Sequence, residues 1–112
     1  MKKVIAIVLS GTIIVACVAK KLAEPTEIDV EKGKTKFENL TLDELKEGKN
    51  LYTQHCNTCH KLFSPTSQTE EEWNKIIPIM VKKANKKAGQ TIISPTDEEK
   101  IKKYLVVLSL KK

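Results

Sequence analysis

Within His55-Cys56-Asn57-Thr58-Cys59-His60 the chain sets two cysteines three residues apart and a histidine directly after the second. No other six residues restrict the fold as strongly. On a helical turn residues three apart share a face, so Cys56 and Cys59 can present their sulfurs to the two vinyl groups along one porphyrin edge, each forming a thioether. His60 then projects under the ring as the proximal iron ligand. Three other chemistries use similar residues. A thioredoxin-like redox pair would follow a strand in a βαβ pattern, and no such strand precedes Cys56. Zinc sites draw on two separated ligand pairs, whereas His55, Cys56, Cys59 and His60 crowd together with no Cys or His downstream. A structural disulfide leaves the adjoining His60 without a role. Covalent haem is the reading that uses all three residues.

The remaining cysteine lies near the N-terminus. Lys2 and Lys3 precede an apolar run over residues 4–16, too short to span a bilayer comfortably but suited to the core of a signal peptide. The run ends in Ile14-Val15-Ala16-Cys17. These four residues resemble a bacterial lipobox, which implies cleavage before Cys17 and a diacylglycerol on its sulfur, with a further acyl chain on the new amino group. Several chains make such anchoring stable. The cysteines are then fully assigned, one to lipid and two to haem. An uncleaved anchor helix, or cleavage near Ala16 or Ala19, would leave Cys17 incidental. The expected division is a signal peptide over 1–16, a lipidated and flexible N-terminus over 17–40, and a folded domain over 41–112.

Charge adds little specificity. The 112-residue chain has a formal charge of +6, reduced to +4 by loss of Lys2 and Lys3, and none of its twenty basic residues is arginine. Lysines are solvated point charges without the bidentate fork that reads phosphate, which argues against nucleic-acid recognition. Most of this charge reads as a soluble surface. Residues 18–40 mix both signs with a Pro and a Gly and hold no sustained apolar period, so they read as a tether with an r.m.s. reach of roughly 25 Å. Ile28, Val30 or Phe37 are the residues that would pack if it did not stay free.

Three helices are legible beyond residue 40. Thr41-Leu42-Asp43-Glu44 forms a capping box that opens a helix running into the haem cysteines, with Leu45, Gly48, Tyr52 and Cys56 inward. A mid-helix glycine costs about 1 kcal/mol against alanine, so Gly48 predicts a second helix crossing closely there. Thr69 caps a helix with three glutamates in its first turn and a stripe of Trp73, Ile76, Ile77, Met80, Val81 and Ala84. Pro78 predicts a kink or break in it. Thr96-Asp97-Glu98-Glu99 reads as another capping box, before Ile101, Tyr104, Leu105 and Leu108 at i, i+3, i+4, i+7.

The combination Gly48, Tyr52, Cys56, Cys59, His60 with Ile101 and Tyr104 on the last helix resembles the class I cytochrome c family. The resemblance implies an all-α fold, a small cytochrome c domain of three to four helices around one covalently bound haem c, which also serves as the staple that so short a core needs. It implies Met80, the only methionine besides the initiator, as distal iron ligand, and Tyr52 and Trp73 as packing against the haem. In this family the Trp73 indole N–H would reach a haem propionate. The carbonyl of Pro65 or Ser64 would orient the His60 ring. His55, immediately before Cys56, reads as pointing away from the distal face, either on the surface or in a supporting place beside the site rather than on the iron.

A six-coordinate His/Met iron implies electron transfer by a monomeric, membrane-anchored carrier on the periplasmic side of the cell envelope, with redox proteins of a respiratory or dehydrogenase chain as partners and no enzymatic activity. The alternative is a haem-based gas sensor or peroxidase-like module with a labile sixth ligand. No arginine and no suitably placed spare histidine is present to assist peroxide chemistry.

Overall fold

A computed structural model describes residues 22–56 and 62–111. Every regular element among them is helical: α1 (Glu27–Gly33), α2 (Leu42–Cys56), a short 3-10 turn (Pro65–Ser67), α3 (Glu70–Ala88) and α4 (Pro95–Ser109). The fold is all-α. None of these helices is long and apolar enough to cross a membrane.

Helices α2 and α4 form the main pair, and Gly48 makes their crossing possible. A Cβ at this position would collide with the Lys100 carbonyl and come within 2.9 Å of Tyr104 Cβ. Two ion pairs, Glu44–Lys103 and Glu47–Lys100, each at 2.5 Å, bridge the same crossing. The Lys103 ammonium holds the Glu44 carboxyl below its usual range, and the Thr41 cap adds to the effect. Partly exposed pairs of this kind contribute little, so the crossing rests on packing. Leu45, Tyr52, Ile101, Tyr104, Leu105 and Leu108 fill it, each 1% exposed or less.

The caps follow the sequence, with one shift. Thr41 Oγ1 accepts from the Glu44 amide and Thr69 Oγ1 from the Glu72 amide, as their positions predict. Helix α4 starts two residues before the expected box: Ser94 is the cap, Pro95 the first helical residue, and Asp97 the acid that reaches back to the Ser94 amide. Ser94-Pro95-Thr96-Asp97 satisfies the same chemistry as the Thr96 box, and proline's fixed φ favours the earlier start. Helix α3 runs unbroken through Pro78, so the expected break does not occur. It ends at Gly89 in the left-handed conformation, φ 69°. Asn85 then holds the turn to α4, its Oδ1 accepting from the Ile92 and Ile93 amides and its amide donating to the Ile93 carbonyl.

Residues 22–40 are not a free tether. They fold over the α2–α4 pair as a strap. Tyr104 Oη donates to the Ala23 carbonyl at 2.9 Å, and Glu24 pairs with Lys49. Helix α1 then buries Val30, while a Cβ on Gly33 would meet Val107 Cγ2 at 2.8 Å. Asp29 is 2% exposed, yet its carboxylate accepts from the Thr26 amide at 2.8 Å and pairs with Lys111 at 3.3 Å, so the buried charge is compensated. Leu40 closes the strap against the core. Residues 22–40 thus make packing, hydrogen-bond and ion-pair contacts with the helices that follow.

Candidate functional site

The C-terminal turn of α2, the segment at Leu62 and Phe63, and one face of α3 enclose an apolar cleft of about 210 Å³ that opens to solvent. The enclosed volume is smaller than the usual cofactor site, so a large ligand would extend out of the cleft mouth. From α2 come Tyr52, His55 and Cys56; from α3 come Ile76, Ile79, Met80, Lys83 and Ala84. Two sulfur-bearing residues, Cys56 and Met80, thus line one apolar space from different helices. Lys83 and His55 are the basic residues in its lining.

Helix geometry explains why α3 serves both core and cleft. Trp73, Ile77, Val81 and Ala84 are buried inward, whereas Ile76, Ile79, Met80 and Lys83 follow i, i+3, i+4, i+7 along the neighbouring face and line the cleft. The single stripe expected from sequence is two adjacent ones. Ile79 is 55% exposed and Phe63 50% exposed, so the cleft leaves large apolar side chains uncovered that a flat apolar ligand would cover.

Tyr52 organises the mouth of this site. Its hydroxyl donates to the Phe63 carbonyl at 2.9 Å and accepts from the Phe63 amide at 3.0 Å. Both backbone groups of the returning chain are thereby fixed to α2 on the far side of residues 57–61. Burial raises the Tyr52 phenol to about 12, against the opposing effect of the Phe63 hydrogen bond. Burial likewise pushes the Tyr104 phenol well above its usual value, with Tyr52 adding to the shift. The two rings lie 6.3 Å apart, and Trp73 meets Tyr52 edge-on at 6.4 Å.

Of the residues predicted for the site, Tyr52, Cys56 and Met80 come together in the cleft. Cys59, His60 and Cys17 lie outside the described residues. Trp73 stands behind the cleft rather than lining it: it is fully buried, and its indole N–H donates to the Pro65 carbonyl at 2.8 Å. That bond to the 3-10 turn already satisfies the donor expected to reach a propionate. The Pro65 carbonyl retains a second lone pair for another donor. His55 is half-buried and lines the cleft.

Phe63, Ile79 and Lys83 were not singled out from sequence. Ile79 and Lys83 had a signal in their i+3 and i+7 spacing from Ile76; Phe63 had none, since its place depends on the bond to Tyr52. Among the described residues no group of three or more His, Cys, Asp or Glu side chains could hold a metal ion. No family model, curated protein or solved structure matches the chain.

Proposed function

We propose that the chain is a membrane-anchored, monomeric monohaem c-type cytochrome, of the class I kind, that transfers single electrons on the periplasmic side of a bacterial envelope. The observation that carries this reading is that Cys56, the first residue of the Cys-x-x-Cys-His motif, lines the same mostly apolar cleft as Met80. Cys56 and Cys59 would hold one haem c by thioethers, His60 would be its proximal ligand and Met80 its distal one. The group supplies one-electron redox chemistry when bound.

The protein's own contribution is exclusion and positioning. Ile76, Ile79, Phe63 and Ala84 supply an apolar wall that disfavours water and small polar substrates. Tyr52 ties Phe63 to α2 through both of its backbone groups. Met80 sits on a helix packed through Trp73, Ile77 and Val81, a rigid mounting for a ligand whose bond should persist in both oxidation states. Retention of a thioether ligand raises the potential and keeps exogenous molecules off the metal.

Met80→Ala tests the ligand set in the holoprotein. The variant is expected to lose the weak far-red sulfur-to-iron absorption, to shift to a lower potential and to bind carbon monoxide rapidly when reduced, whereas the parent binds it slowly. An unchanged spectrum removes Met80 from the iron. Rapid binding by the parent favours the gas-sensing or enzymatic alternative.

A further inference from the structure

The anchor and the strap together determine where this domain can go. If residues 18–40 were free, a lipid on Cys17 would let the folded part range over the full contour of the intervening chain, roughly 80 Å at 3.3–3.6 Å per residue. The strap removes most of that freedom. Leu22 already packs against the core, Ala23 accepts from the buried Tyr104 hydroxyl, Glu24 pairs with Lys49, and Pro25 is buried. Helix α1 continues the attachment through Val30, Gly33 and the Asp29–Lys111 pair. Only five residue steps separate Cys17 from Leu22, a limit of about 18 Å even fully extended.

We infer that the docked strap makes the anchor a short leash, which holds the domain against the bilayer. Proteins embedded in, or bound to, that membrane therefore meet the domain by lateral diffusion along the surface. The inference rests on lipidation of Cys17, and the experiment separates the two claims.

The full-length lipidated protein, carrying its haem, is placed on a supported phospholipid bilayer and the protein density profile is measured by neutron reflectometry. A second protein carries a flexible Gly/Ser insertion of about twenty residues between Cys17 and Leu22, which restores an r.m.s. reach of roughly 25 Å. The parent is expected to give a layer one domain thick abutting the headgroups, and the insertion a broader layer displaced outward. Hydrogen exchange on the same parent is expected to show protected amides at Val30, Lys34 and Phe37, which donate to Thr26, Val30 and Gly33 respectively. A diffuse parent layer unaltered by the insertion, or strap amides exchanging at unfolded rates, overturns the leash while leaving the anchor intact. A mature chain whose mass shows no lipid on Cys17 overturns both.

Discussion

Tyr52 joins three parts of the account through one hydroxyl. Its ring belongs to the α2–α4 core, its oxygen holds both backbone groups of Phe63, and its flank lines the cleft. Tyr52→Phe keeps the ring and removes the two hydrogen bonds, leaving the Phe63 amide and carbonyl in need of partners. The expected cost is about 1–3 kcal/mol of unfolding free energy by urea titration, with faster exchange of the Phe63 amide. Little of this was legible beforehand. An aromatic four residues after Gly48 and four before Cys56 read as core, but a hydroxyl's partner eleven residues away leaves no periodic signal in the sequence. The Trp73 indole shows the same limit: its burial was readable from the stripe, while its choice of the Pro65 carbonyl depended on a 3-10 turn that carried no period.

At the scale of elements, the close passage of α2 over α4 is the most legible feature and the most exposed to test. Gly48 announced it from sequence, since a glycine tolerated in mid-helix needs a neighbour that excludes a side chain. Gly48→Ala gains helix propensity but drives a methyl group into the Lys100 carbonyl. The clash should dominate, with a net loss of about 1–3 kcal/mol and a lower thermal midpoint. A variant as stable as the parent would mean that the helices are farther apart. Helix α1 was less legible for a physical reason. It has seven residues and one deeply buried apolar side chain, Val30, too few to generate a period. The evidence for it lay in its partner: Tyr104, Leu105, Val106, Val107 and Leu108 are buried in succession, which a helix covered on one side only cannot achieve. That run called for a second cover, and the strap provides it through Gly33, whose Cβ would meet Val107.

For the whole molecule, burial of two phenols sets an alkaline limit on stability. Both Tyr52 and Tyr104 have folded-state values raised above the ordinary value of 10. Their contribution is therefore complete below pH 10 and lost as pH rises through their folded-state values, which for Tyr52 lies at about 12. For Tyr52 the loss amounts to the order of 2–3 kcal/mol. Unfolding free energy should fall above pH 10, and tyrosinate absorption should appear together with loss of helical circular dichroism rather than ahead of it. Ionisation of both phenols near pH 10 without loss of helix would contradict the burial. The most direct measurement of the central claim is the mass and solubility of the colour itself, in protein produced together with a haem-attachment system. One haem per chain is expected by intact mass, retained on the protein after extraction with acidified acetone and lost when Cys56 and Cys59 are both replaced by serine. A chain of unmodified mass, or a haem that extracts into the solvent, would contradict it.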